Sequence, residues 1–223
     1  MKLSNRLETI INMVDKGSLV ADIGSDHGYV SIELIDRNIA SKCFAVENKI
    51  GPYTTLVANC LSHGNIITSL SDGLTQVPSE FKTVIIAGMG FETIKNILLD
   101  SKDKLDYIEE FIIDSHTLTH ELRAFLNELN YSIIDEKCII EKSIFYEIIK
   151  FKKDNSTKLS QEDLKFGPLL RKEKNDDYKL HYENEIKKLE SLLKIENINE
   201  ERRKEINEEL ELIKRNIWTQ RNY

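Results

Sequence analysis

The chain has 223 residues, 40% hydrophobic and 31% charged, with a formal net charge of −7, which suits a soluble globular protein with one highly charged section, long enough for one α/β domain with an appendage and short for two full domains. No apolar run approaches the ~18 residues of a membrane span, and the opening Met1-Lys2-Leu3-Ser4-Asn5-Arg6 lacks the apolar centre of a signal peptide. Cys43, Cys60 and Cys138 are odd in number and far apart, against a disulfide framework or a CxxC metal site and in favour of a cytoplasmic location.

The predicted elements alternate. An amphipathic helix over about Ser4–Asp15 precedes a buried strand at Leu19–Ile23 and a helix to about Asn38. A strand at Lys42–Val46, a helix from Pro52 to Ser62 and a strand at Ile66–Leu70 follow; Pro52 suits a first helical turn and Gly64 a stop. Next come a strand at Thr83–Ala87, a helix at Glu92–Leu99, a strand at Glu110–Asp114 and a helix at Thr117–Leu129. Two extended runs, Tyr131–Ile140 and Ser143–Phe151, meet at Glu141-Lys142 and close a hairpin. Strands alternating with helices predict a doubly wound parallel sheet. Seven strands ending in an antiparallel hairpin match the Rossmann-like plan of class I S-adenosylmethionine (SAM)-dependent methyltransferases.

Residues 1–150 hold 14 Lys/Arg against 22 Asp/Glu, a balance of −8, and residues 151–223 hold 17 against 16, a balance of +1. The expected division is a SAM-binding domain over 1–152 and a helical domain over 153–223, with Lys152-Lys153-Asp154-Asn155-Ser156-Thr157 as linker. In the tail, Tyr182, Ile186, Leu189 and Leu193 form one apolar seam, and Ile206, Leu210, Ile213 and Ile217 another. A turn at Asn197-Ile198-Asn199 makes them an antiparallel helical hairpin, either a free-standing coiled coil or a small lid packed on the sheet.

Ligand chemistry concentrates at strand ends, where open α/β sheets bind. Asp22-Ile23-Gly24-Ser25-Asp26-His27-Gly28-Tyr29 follows the first strand with D-x-G-x-x-x-G spacing, unlike the G-x-G-x-x-G of a pyrophosphate loop. An acid leading the loop fits a cationic ligand, and SAM carries an ammonium and a sulfonium. Gly24 and Gly28 would let backbone approach it, with Ser25 between them. Glu47, beside Asn48, ends the second strand, 25 residues after Asp22, where an acid grips ribose hydroxyls. Asp72-Gly73 follows the third strand and supplies an acceptor for an adenine amino group. Gly88-Met89-Gly90 follows the fourth, where backbone can contact cofactor or target base; Gly88 is assigned to the cofactor, Met89 and Gly90 to the substrate. Each acid taken singly is also an ordinary turn or solvated strand end. His116 and His120 have i, i+4 spacing but no third ligand nearby, and no metal is expected.

These residues carry a resemblance. Leu3-Ser4-x-Arg6-Leu7, Ala21-Asp22-Ile23-Gly24-Ser25-Asp26-His27-Gly28-Tyr29, Gly51-Pro52, Asp72-Gly73-Leu74, Ala87-Gly88-Met89-Gly90, Gly167-Pro168 and Lys172-Glu173-Lys174-Asn175 are similar to the bacterial tRNA (adenine-22,N1)-methyltransferases of the TrmK type. The resemblance implies a class I SAM-binding domain, a C-terminal α-helical coiled-coil hairpin and methylation of N1 of one tRNA adenine. Two positions depart from the family pattern: Phe91 stands where a glycine is usual, and Asp114-Ser115-His116 where Gln-Pro-Asn is usual. Both are expected beside the target base.

The mechanism expected is in-line displacement from the sulfonium, governed by positioning. Adenine N1 offers a lone pair, so no proton leaves first. Asp26 is the candidate acid for stabilising the growing charge at N6, or else an N-cap of the next helix. Tyr29 is a stacking candidate and His27 a neighbouring base. Arg6 would meet the SAM carboxylate, or is a surface arginine. Arg171, Lys172 and Lys174 in the tail are candidate tRNA contacts, the alternative being ion pairs on a solvated helix. The expected partner is tRNA, bound by a monomer without membrane. Another RNA or a small molecule as substrate, or a non-catalytic RNA-binding role, remain alternatives; the acid-led loop and hairpin count against a nicotinamide oxidoreductase.

Overall fold

A computed structural model describes residues 3–154, 158–195 and 198–218. Its elements are α1 (Asn5–Asn12), β1 (Ser18–Ile23), α2 (Tyr29–Asp36), β2 (Ala40–Glu47), α3 (Ile50–Cys60), β3 (Ile66–Leu70), β4 (Thr83–Met89) and α4 (Phe91–Asp100). Then come β5 (Glu110–Ser115), α5 (Thr119–Glu128), β6 (Tyr131–Glu141), β7 (Ile144–Lys153), α6 (Gln161–Phe166), α7 (Leu170–Glu173), α8 (Asp176–Leu192) and α9 (Glu200–Trp218). The strands form one sheet in the order β3-β2-β1-β4-β5-β7-β6. Neighbours from β3 through β5 are parallel, and β7 runs antiparallel between β5 and β6. This is the expected seven-stranded Rossmann-like plan.

The period-two geometry of strands sorts side chains onto two faces. Ala21, Ile23, Phe44, Val46, Val84, Ile86, Phe111 and Ile113 pack into one core. Val20, Cys43, Ala45, Ile85 and Ile112 pack into the other, with Ile10 and Ile11 of α1 and Leu34 of α2. Burying both faces explains why the central strands read as continuous apolar runs.

Local chemistry moves several boundaries. Ser4 caps α1, its hydroxyl accepting the Leu7 N–H at 3.3 Å, and the helix stops at Asn12, short of the expected Asp15. The helix expected from Thr117 starts at Thr119, because Leu118 adopts a left-handed φ of +52° that cannot continue a helix. The hairpin turn falls at Lys142 and Ser143, with φ of +50° and +66°, one residue later than expected; two positive φ values suit a tight two-residue turn. Phe91 opens α4 and is buried against Phe125, ring centroids 6.1 Å apart. Its departure from the family pattern therefore serves packing, not the base side of the cleft as expected.

The tail seams close against the sheet. Tyr182, Ile186, Ile206, Leu210, Ile213 and Ile217 share a core with Phe166, Leu170, Tyr178 and Cys138 of β6, and Leu189 and Leu193 pack at its edge. The two seams meet each other in an antiparallel hairpin that is anchored on β6 through α8. Below that core, Arg123 of α5 donates through Nε to Glu136 at 2.8 Å, through Nη2 to Glu147 at 2.6 Å and through Nη1 to the Leu164 carbonyl at 3.0 Å. Glu136 also accepts the Leu169 N–H at 2.8 Å. Gly167 (φ +74°) passes so close that a Cβ would lie 2.8 Å from Arg123. Asn155, Ser156 and Thr157 of the expected linker, and Asn197 of the expected turn, lie outside the described residues. Among the described residues no helix is long and apolar enough to cross a membrane.

Candidate active site

The loop after β1 hangs from the next strand: the Gly24 and Ser25 N–H groups donate to the Val46 carbonyl at 2.9 and 3.0 Å. That suspension opens a cavity of about 250 Å³ at the carboxyl ends of β1–β4. Gly24, Glu47, Asn48, Asp72, Gly73, Gly88 and Met89 all line it, which is the gathering expected when each residue ends a neighbouring parallel strand. Glu47 Oε1 accepts the N–H groups of Asn48 and Lys49, each at 3.0 Å, leaving Oε2 without a partner among the described residues. Asn48 Nδ2 donates to Asp72 Oδ1 at 3.3 Å, tying the second strand end to the third. Gly24 is left-handed (φ +71°), and a Cβ there would lie 2.2 Å from Met89 Cε. Met89 thus packs across Gly24, on the cavity side.

Other candidates stand apart from the cavity lining. Asp22 is buried on the α2 face, where it accepts the Ser31 hydroxyl at 2.8 Å. Desolvation pushes its carboxyl up to about 6, against the pull of the Ser31 hydrogen bonds. Gly28 supports the α2 start, with a notional Cβ 2.7 Å from Leu56. Asp26, at φ +51°, is exposed and 3.6 Å from His27 Nε2; His27 leans on Tyr29 with ring centroids 5.4 Å apart. Neither Ser25 nor these three residues, nor Gly90 at the start of α4, belong to the lining.

Arg6 reaches from α1 to the carboxyl end of β5. Its Nη1 donates to Asp114 Oδ2 at 2.6 Å, and a Cβ on Gly88 would lie 3.6 Å from the same nitrogen. Asp114 is fully buried. Burial pushes its carboxyl above the usual range, while Arg6, His116 and the Gly88 peptide pull the other way. The expected free arginine for the SAM carboxylate is therefore already engaged by an acid.

In the tail, Arg171 is committed to Glu162 at 2.5 Å and Asp163 at 2.9 Å, an internal tie in place of an open phosphate contact. Lys174 Nζ donates to the Ile217 carbonyl at 3.1 Å. Lys172 is exposed.

A profile of the family described as "TrmK: tRNA (adenine(22)-N(1))-methyltransferase" matches residues 20–216. The chain belongs to the TrmK family. The tRNA (adenine(22)-N(1))-methyltransferase of Bacillus subtilis is 30% identical over 96% of both chains. The solved structure of M. capricolum TrmK in complex with S-adenosylhomocysteine (SAH) is 30% identical, with a TM-score of 0.84, covering 97% of this chain and 98% of that one. A Streptococcus pneumoniae structure in complex with SAM, provisionally assigned as a tRNA (m1A22) methyltransferase, is 32% identical with a TM-score of 0.87, covering 97% of this chain and 100% of that one.

Two features of this TrmK-family chain escaped sequence reasoning. The Arg6–Asp114 pair joins residues 108 positions apart; its one local signal is an acid closing the apolar run Phe111-Ile112-Ile113. The Arg123–Glu136–Glu147 cluster has no local signature, since its members sit in amphipathic patterns that also fit solvated faces.

Proposed function

We propose that the chain transfers the methyl group of SAM to N1 of adenine 22 in tRNA. The observation that carries this reading is the cavity formed by Gly24, Glu47, Asp72 and Gly88 in a chain matched to TrmK over residues 20–216. The donor set fits the cofactor. Glu47 has a carboxylate oxygen free for a diol, Asp72 has an oriented carboxylate for an exocyclic amine, and Gly24 and Gly88 present bare backbone. SAM supplies an electrophilic methyl group on a positively charged sulfur.

The protein's own work is positioning. Glu47 is oriented by two backbone N–H groups, so a ribose meets a fixed acceptor. Asp22 contributes a buried negative charge on the sheet behind the loop. Asp26, at the exposed rim, is the acid assigned to the adenine N6 as positive charge grows on the base. The sheet section is acidic and the tail balanced, so phosphate contacts fall to exposed tail cations such as Lys172.

Incubation with methyl-labelled SAM and unmodified tRNA, followed by nucleoside analysis, should yield labelled 1-methyladenosine. No label, or label in another nucleoside, overturns the reading. Glu47→Ala should weaken SAM binding roughly tenfold or more, the scale of a hydrogen bond to a charged group, measured by calorimetry. Asp26→Ala should keep SAH affinity and lose single-turnover methylation; a rate equal to wild type would remove Asp26 from the chemistry.

A further inference from the structure

Gly88 separates the donor cavity from a second group of side chains, drawn from α1, the end of β5 and β7. A Cβ at Gly88 would lie 3.6 Å from Arg6 Nη1 and 4.0 Å from His116 Cε1. Arg6 Nη1 is also 3.2 Å from His116 Nε2, and the guanidinium carbon lies 5.3 Å from the Tyr146 ring centroid. His116 and Tyr146 meet edge to face, 5.7 Å apart at 65°. Beneath them Asp114 holds Arg6, and its Oδ1 has no hydrogen-bond partner among the described residues.

We propose that Arg6, His116 and Tyr146 form the platform on which the target base stacks, and that Asp114 is the positioning residue that holds Arg6 in it. The proposal rests on the methyltransferase reading above and adds an acceptor subsite to it. In-line attack requires the base to approach from outside the donor cavity, and Gly88 is the wall where backbone alone intervenes. Guanidinium, imidazole and phenol are all flat and polarisable, the groups on which an unstacked purine settles. All three keep open surface: the His116 side chain is 41% exposed, that of Arg6 21%, and Tyr146 is half-buried. Charge decides the need for Asp114. Methylation at N1 makes the base cationic, and an uncompensated Arg6 beside it would oppose that change. Paired with Asp114, Arg6 keeps its stacking face and loses its net field.

The test uses the full chain, SAH and tRNA carrying 2-aminopurine at the target position. Wild type should quench the probe on binding. His116→Ala and Tyr146→Ala should lose most of the quench and raise KM for unmodified tRNA roughly tenfold, the scale of one lost base–aromatic stack. Their SAH affinity should stay within about twofold. Asp114→Asn should lower kcat more than it raises KM, with partial rescue by Asp114→Glu. Wild-type quench and KM in both ring variants would overturn the proposal, as would loss of SAH binding in them, whatever Asp114→Asn does to folding. Failure of wild type to methylate adenine N1 at all would instead overturn the parent reading.

Discussion

At the junction of β6, β7 and the tail, Arg123 faces Glu136 and Glu147, and Glu136 also takes a backbone N–H. At the carboxyl ends of β1 and β5, buried acids are less well served: among the described residues Asp22 has Ser31 as its hydrogen-bond partner and no cation in an ion pair, and Asp114 has one oxygen without a partner. Both regions remove charge from water, which is costly in either place. The junction offsets the cost with geometry and gains a fixed docking of the tail. The rim leaves part of it standing, and incompletely satisfied buried groups concentrate where a ligand is to supply the rest.

The largest effect should come from breaking the junction. Burial works against the charge on Arg123, but Glu147 and Glu136 more than offset it and hold its pKa above normal. Arg123→Met strands two acids and should cost about 3–5 kcal/mol, read by denaturant unfolding. Adding Glu136→Leu and Glu147→Leu should recover much of that loss; no recovery would show that packing, not stranded charge, dominates.

At the rim the sign reverses. The folded chain raises Asp22 from 3.8 to about 6, so the folded state binds this proton more tightly than the unfolded one. Stability from this group is full below about pH 4 and lost as pH rises to about 6. Asp22→Asn, which stays neutral, should therefore be more stable than wild type by about 3 kcal/mol at pH 7. The gap should close below pH 4. If that buried charge serves the cationic cofactor, the same variant should also bind SAM less well. Unchanged affinity would leave Asp22 with no part in binding.

A smaller effect tests the tail apart from its buried charges. Ser160 and Asp163 form a reciprocal cap on α6, and Ser160→Ala should cost about 1 kcal/mol. The exposed pair Lys204–Glu208 on α9 serves as the control: Lys204→Ala should melt with wild type, because solvated pairs contribute little.

What was legible in the sequence follows the range of the forces involved. Strand and helix placement, and the gathering of Gly24, Glu47, Asp72 and Gly88, depend on periodicity and on the rule that parallel strands present their carboxyl ends together. Boundaries at Leu118 and at Lys142-Ser143 did not show, because each rests on a positive φ at a residue other than glycine, which residue identity does not announce. The engagement of Arg6 by Asp114 was hidden because it depends on a partner in a distant element.

The position of β7 has a consequence for synthesis. The donor cavity draws only on residues up to Ile97, whereas Arg6 takes Asp114 and His116 from the end of β5 and gains Tyr146 only after β7 has emerged and inserted between β5 and β6. A ribosome-bound nascent chain would thus present an open β5 edge, prone to illicit pairing, until residue 153 is available. The two halves of the enzyme mature in sequence, with the place for the methyl acceptor completed last.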